Sequence, residues 1–311
     1  MSGAAYLRAF GSYVPQRRVD NQELAMRTGR DAAEIEKTTG ILTRRYAADD
    51  ESVADLALAA ARDCLQQAGV TAAEIGLVLL SSGSAERCFP GPAATLAAQL
   101  GLAATPALDL PFASAGALIG MALACDLAAR YGLVLVVAAE AMSRRIDDAD
   151  PDTAILFGDG AGACLISRDG GFARIVDVAL HTDGNFAESL SLAHSGAVKM
   201  RGLEIIMQAS RKIPGVINDL LAANHLVPAE VEIFVLHQAN KNLLTKVAKT
   251  LRAPEDRFFS NIADYGNTSS ASMLIAARAW HGWPALRGPV VFAAFGAGLQ
   301  WGAVLAVPVT I

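Results

Sequence analysis

The chain reads as an α/β protein built from two related halves, and three features lead there. Apolar strands come in pairs joined by glycine-bearing connections: residues 133–139 precede 158–166, and residues 290–294 precede 302–307. In each half an amphipathic helical segment leads into a short apolar strand, 53–68 before 77–82 and 203–224 before 233–236. These strands are apolar throughout rather than alternating, which is the pattern of sheets covered by helices on both faces.

The remaining elements follow in chain order. Residues 115–132 form a strong helical stretch in which Gly116 and Gly120, one turn apart, permit close backbone packing, and Gly132 ends it as a C-cap. Asp169-Gly-Gly171 marks the junction between a first half, 1–170, and a second, 171–311; it is too short for a flexible linker, so the halves are expected to form one rigid body. Pro214 falls inside the helix 203–224 and is expected to interrupt and kink it. A further helix, 241–251, follows the strand 233–236, and another is read over 268–280. The stretch 289–311 lacks charges and is nominally long enough to span a bilayer, but Gly296, Gly298, Gly302 and Pro308 break it into short pieces, so it reads as two buried strands rather than a membrane span.

Composition narrows the function classes. With 311 residues the chain can bury a large core. Its 53% hydrophobic and 18% charged content suggests that a second subunit covers part of the surface, most simply in a homodimer. A net charge of -5 argues against nucleic acid or an anionic membrane as partner, while leaving room for a local basic patch. Cys64, Cys88, Cys125 and Cys164 are widely spaced and show neither a metal-ligand pattern nor a disulfide framework. Residues 1–8 contain no apolar region of signal-peptide length, so a cytoplasmic protein is expected.

Chemistry concentrates in four places: Ser114 within Asp109-Leu-Pro-Phe-Ala-Ser-Ala-Gly116, His237 within His-Gln-Ala-Asn240, Asn267 within Tyr265-Gly-Asn-Thr-Ser269, and the turn Phe295-Gly-Ala297-Gly298. Each has a plain structural reading as well. Ser114 at a strand-to-helix junction is either an ordinary N-cap or an oxygen placed where the helix dipole favours negative charge. His237 follows a buried strand and is free to point into a cleft, a setting that His181, His194, His225 and His281 lack. Asn267 could cap the helix that follows it, and a glycine-rich turn alone is a weak signal.

Together, in order and along essentially the whole chain, these segments resemble β-ketoacyl-ACP synthase III of the thiolase superfamily, the condensing enzyme that starts fatty-acid and some polyketide chains. The resemblance implies the five-layered αβαβα thiolase fold. It implies that Ser114 occupies the place of the nucleophilic cysteine. It further implies that His237 and Asn267 hold the malonyl thioester carbonyl and stabilise the enolate formed on decarboxylation. The backbone N–H groups of Ser114 and Ala297 would form the oxyanion hole for acyl transfer, with alanine here in place of the family's middle glycine. Phe89 matches a phenylalanine that reaches across the dimer to shape the partner's acyl pocket, core packing being its other reading. Gly158-Asp-Gly-Ala-Gly162 is read as structural support near the nucleophile. No cofactor and no metal are implied.

Serine changes the chemistry. It does not ionise near pH 7 as a helix-end thiol does, so it needs a general base, for which His237 is the candidate, contributing about 10²–10⁴-fold. Serine variants occur among starter-selecting members of polyketide pathways, and this chain is similar to them. The family segment that grips coenzyme A aligns with residues 34–41, where Glu34 and Thr38 replace its tryptophan and arginine. The arginine that contacts the acyl carrier protein aligns with Asn242, although Lys241, Lys246 and Lys249 offer positive charge for carrier docking. The expectation is an acyltransferase or condensing enzyme that loads a primer acyl group on Ser114 and passes it to a carrier-bound acceptor. A thioesterase-like hydrolase, since a serine ester beside a histidine is one water from turnover, and an idle subunit partnering a cysteine-bearing homologue are the alternatives.

Overall fold

The computed structural model describes residues 4–309. Nine strands lie in one continuous ladder: β1 (Ala5–Tyr13), β2 (Leu77–Ser81), β3 (Ala107–Leu110), β4 (Leu133–Glu140), β5 (Gly160–Ser167), β6 (Ala173–Thr182), β7 (Ile233–Leu236), β8 (Val290–Gly296) and β9 (Gln300–Pro308). Their order is β7-β8-β9-β6-β1-β5-β4-β2-β3. The paired-strand reading matches this ladder. In the first half β2 and β4 run parallel and β4 and β5 antiparallel; in the second, β7 and β8 run parallel and β8 and β9 antiparallel. A short seam joins the halves, with Ala5 opposite Ile175 and Leu7 opposite Ala173.

Helices fill the spaces between and outside the strands. Gly116–Tyr131 and Ser272–Ala279 share one buried cluster with strand residues of both halves, such as Leu79, Val136, Val235 and Phe292. These two helices form the central layer. On one outer face Val53–Ala68 packs on β1, β4 and β5; on the other, Gly202–Ala223 packs on β9, β8 and β6. The result is the five-layered thiolase-like arrangement. Strands buried on both faces explain why their sequences are apolar without alternation.

Local sequence accounts for the boundaries. Ser52 and Asp55 form a capping box at the start of Val53–Ala68, and Gly69 ends it at φ 64°. Gly120 faces β4, where an added Cβ would lie 2.7 Å from a Val136 methyl, so the glycine sets the helix-to-strand distance. Gly202–Ala223 runs as one helix with Pro214 inside it, so the expected interruption at Pro214 is not a break. The helix read over 268–280 begins later, as a 3₁₀ turn Ser269–Ala271 followed by Ser272–Ala279. The terminal segment forms β8 and β9, and among the described residues no helix is long and apolar enough to cross a membrane.

Candidate active site

Ser114 lies between the end of β3 at Leu110 and the helix Gly116–Tyr131, and it is 6% exposed. It is not the helix cap: Ala115 takes that position without a side-chain cap bond. Ser114 instead holds a left-handed backbone at φ 63°, uncommon for a residue with a Cβ and maintained only where surroundings impose it. Three contacts impose it here. Ala115 N–H bonds Ala113 O at 2.7 Å, the Ser81 hydroxyl donates to Phe112 O at 3.0 Å, and Ser114 N–H donates to the Ser269 hydroxyl oxygen at 3.1 Å. Ser269 is also left-handed, at φ 47°. The glycine turn after β8 closes the other side, because a Cβ on Gly296 would overlap Ala113 O and Ala115 N. Ala297 is not among the left-handed residues, so alanine costs no backbone strain there.

Ser114, Ser269 and Ala297 line one cavity of about 40 Å³, closed by Met142, Phe157, Leu190, Leu192 and Val198. Asn267 lines a second, of about 530 Å³, whose walls include Ile35, Leu156, Leu203, Ile206 and Leu243 and whose rim carries Arg30, Glu34, Asp150 and Asp152. The same segments wall both, Leu156 and Asn267 facing the larger, Phe157 and Ser269 the smaller. Asn267 is clamped by its own backbone, its N–H on Leu156 O at 2.9 Å and its O accepting Gly158 N–H at 3.0 Å. Its Oδ1 accepts Ser269 N–H at 2.9 Å, which leaves the amide nitrogen for the pocket. The Gly158-Asp-Gly160 segment therefore braces Asn267, while Asp159 ties Ser143 and Ala47 together.

His237 continues the β7 ladder through its N–H on Ala293 O at 2.8 Å. Its Nδ1 lies 2.7 Å from the Ser272 hydroxyl, and that oxygen also accepts Gln238 N–H at 3.1 Å. With its backbone donor already satisfied, Ser272 has its own proton to give to Nδ1, which places the ring proton on Nε2. Burial lowers the imidazole pKa to about 4, against a hydrogen bond with the Ser269 main chain that raises it. His237 is thus a neutral ring. Among the described residues no hydrogen bond joins it to Ser114, and both residues reach Ser269, one through its main chain and the other through its hydroxyl.

The peripheral expectations fall as follows. Phe89 is 88% exposed, which removes the core-packing reading. Lys241, Lys246 and Lys249 are exposed along Lys241–Leu251. Asn242 and Asn240 both donate to Thr38 O at 3.0 Å, tying that helix start to the C-terminal end of Ala32–Thr39. Glu34 and Thr38 line the larger pocket together. Cys64, Cys125 and Cys164 are buried, and burial pushes the Cys125 thiol up to about 12, so it is no nucleophile. Glu140, buried at the end of β4 where the Ser84 and Ser270 hydroxyls donate to it, Ser269 and Ser272 are the site residues that sequence reasoning passed over. A single carboxylate ending the apolar run 133–139 was the available signal for the first of them.

Fold and site together define a thiolase-like condensing enzyme. Two family models match, 3-oxoacyl-(acyl-carrier-protein) synthase III over residues 108–184 and its C-terminal part over 221–307. A β-ketoacyl-(acyl-carrier-protein) synthase III of Gloeobacter violaceus is 36% identical, over 97% of this chain and 98% of its own. The enzyme of that name from Rhodospirillum centenum is 34% identical over 95% and 96%. Among solved structures, 3-oxoacyl-(acyl-carrier-protein) synthase III of Aquifex aeolicus superposes with a TM-score of 0.91 at 30% identity, covering 97% of this chain and 99% of that one. A priming β-ketosynthase from the R1128 polyketide biosynthetic pathway gives 0.90 at 32% identity, covering 98% and 97%. This chain belongs to the 3-oxoacyl-(acyl-carrier-protein) synthase III family.

Proposed function

We propose that this protein takes a short primer acyl group onto Ser114 as an oxoester and transfers it to an acceptor carried on an acyl carrier protein, in polyketide or other secondary metabolism. The observation that carries the reading is the backbone of Ser114. Its left-handed conformation, just before the N-terminus of a 16-residue helix and in one cavity with Ala297, presents the hydroxyl where an acyl oxygen can meet two N–H groups. In the loading step the Ser114 oxygen attacks the thioester carbonyl, the carbon–sulfur bond breaks, and the serine proton ends on the departing thiol. His237 is the base for that transfer; the ring proton described above on Nε2 must first move to Nδ1, with the Ser272 hydroxyl turning to accept from it, so that Nε2 has a lone pair to take the serine proton.

The acceptor half rests on Asn267, which lines the larger, mostly apolar pocket, and on His237, a ring that burial keeps neutral. Family membership and likeness to a priming ketosynthase of a polyketide pathway support starter selection. The exposed Phe89 supports a homodimer in which it enters the partner, and the repeated strand order of residues 1–170 and 171–311 supports two duplicated halves.

Incubation with a panel of short acyl thioesters, followed by intact-protein mass spectrometry and peptide mapping, tests the reading. One acyl increment on the Ser114 peptide, absent in Ser114→Ala, is expected. Release of free acid without condensed product would make the protein a hydrolase. Labelling of Ser114→Cys but not of the wild type would make it an idle subunit.

A further inference from the structure

Arg44 is fully buried, the largest side chain so placed among the described residues. It comes from the two-stranded ladder of Arg17–Asp20 with Thr43–Tyr46, outside the main sheet. Its guanidinium meets neutral oxygens: Nη1 donates to Asn21 Oδ1 at 2.8 Å and Nη2 to Ile155 O at 2.8 Å, while Nε has no partner among the described residues. Asn21 is itself fixed, its Nδ2 on Ile41 O at 2.8 Å. Burial pushes the guanidinium pKa down to about 10, which leaves it charged at neutral pH. A buried cation without a carboxylate is costly, and the loading chemistry described above does not use it. The segment it grips is the one that clamps Asn267. Directly after Ile155, Leu156 O accepts Asn267 N–H at 2.9 Å, Phe157 and Asn267 form a parallel bridge, and Gly158 N–H donates to Asn267 O at 3.0 Å. Arg44 Cβ lies against both sides of this clamp: a Cβ on Gly158 would fall 2.9 Å from it, and one on Gly266, at φ 66°, 3.1 Å.

We propose that Arg44 is a positioning residue for decarboxylation of the malonyl acceptor, acting through Asn267, whose place at the larger pocket it sets by gripping the segment 155–158. A planar guanidinium offers donors at a fixed spacing, so its fork holds Ile155 O and Asn21 at one separation; an ammonium has no such fork. The glycines at 158 and 266 let both chains close on Arg44 Cβ, and the bonds of Asn267 N–H and O carry that spacing to its carboxamide. Asn267 Oδ1 is spent on Ser269 N–H, so only the amide nitrogen is left for an enolate oxygen. A donor displaced by about 1 Å can cost about 10²-fold. The Ser114 turn takes its restraints from contacts at Ala113, Phe112 and Ser269 instead, so acylation is spared. The inference rests on Asn267 being the enolate donor of the proposed reaction.

Arg44→Lys, which keeps the charge and loses the fork, and Arg44→Met, which keeps only the stem, test it, each alone and combined with Asn267→Ala. Arg45→Met is the control, the next residue in the chain, whose side chain bonds Gln16 O at 2.9 Å rather than Ile155 O. Three quantities are read: decarboxylation of a malonyl-carrier thioester, single-turnover acylation of Ser114 by a short acyl thioester, and amide hydrogen exchange of the peptides containing Gly158 and Asn267. Both Arg44 variants should slow decarboxylation about tenfold or more at saturation, with half-saturation within about twofold and acylation within about threefold of wild type. The Gly158 and Asn267 amides should exchange about tenfold faster. In the Asn267→Ala background either change should cost less than about twofold more, because a group that acts through Asn267 has nothing left to position. Arg45→Met should stay within about threefold of wild type in all three. If Arg44→Met does not fold, Arg44→Lys decides. The proposal is overturned if the Arg44 variants keep wild-type decarboxylation, if acylation falls as far as decarboxylation, or if the losses multiply in the Asn267→Ala background. An Asn267→Ala protein that condenses at the wild-type rate would remove the Asn267 reading instead, and the exchange of Gly158 and Asn267 in Arg44→Lys would still decide whether the arginine holds the clamp.

Discussion

The Ser272 hydroxyl sits 2.7 Å from Nδ1 of His237, so the first residue of a central-layer helix fixes the ring that ends β7. A strand of the second half and the helix between the two sheets are thereby locked in register by one side-chain contact. The ring is held neutral as well as in place. Burial places its pKa at about 4.

That value sets the pH behaviour. The unfolded chain protonates His237 near its ordinary pKa of about 6.5, before the folded protein does, so this group's contribution to stability is complete above that pH. It is lost as pH falls toward about 4. The expected contribution is on the order of 3 kcal/mol. Urea unfolding at pH 7 and pH 4.5 should therefore show a smaller stability difference in His237→Gln than in wild type. The acid limb of kcat/KM should likewise lie below the usual histidine range; a limb centred near about 6.5 would mean the ring is not desolvated as placed.

Asn267→Ala should separate two chemistries. Acylation of Ser114 does not use the carboxamide and should remain within about threefold, whereas decarboxylation of a malonyl-carrier substrate should fall by about 10²-fold or more with one enolate donor gone. Condensation at the wild-type rate would remove Asn267 from the site.

The rim of the larger pocket carries Glu34, Asp150 and Asp152 around one Arg30, and Arg30 is already paired to Glu34 and Asp152. Phosphate-bearing coenzyme A meets net negative charge there. Carrier-protein thioesters should therefore show the higher kcat/KM, and Glu34→Arg should raise kcat/KM for the coenzyme A form by about three- to tenfold, with the gain shrinking as salt is added. Kinetics with both forms of one acyl group at two ionic strengths check this.

Phe89 should sit inside a dimer. Light scattering at micromolar concentration should give about twice the monomer's 32.4 kDa, and Phe89→Asp should shift the population toward monomer. A wild-type mass near that of one chain would count against this use of the exposed ring.

Much of this was legible from residue order. Apolar pairs with glycine connections gave the β4/β5 and β8/β9 ladders, and a histidine after an apolar strand gave the position of His237, because both follow from local pattern. What stayed hidden depends on distant segments meeting. The left-handed turn of Ser114 is imposed by Ser269, 155 positions away, and no local preference for that conformation marks an Ala-Ser-Ala sequence. Glu140 carries no signature either, since its partners come from residues 82–84 and from Ser270. The hydroxyls of Ser269 and Ser272 are the least legible of all. One accepts Ser114 N–H and the other meets His237 Nδ1, three positions apart.

Gly296 has a consequence for how such a site diversifies. Main chain meets main chain at that point, so the spacing between the Ser114 turn and the turn of Ala297 is a fixed gauge that no side-chain substitution can tune. On the proposed loading of Ser114, room for a longer or shorter starter has to be made elsewhere, in the wall of Leu190, Leu192 and Val198, on the stretch that follows β6 and precedes the helix Gly202–Ala223. Selectivity and bond-making thus occupy separate stretches of polypeptide, and the first can drift while the second stays put.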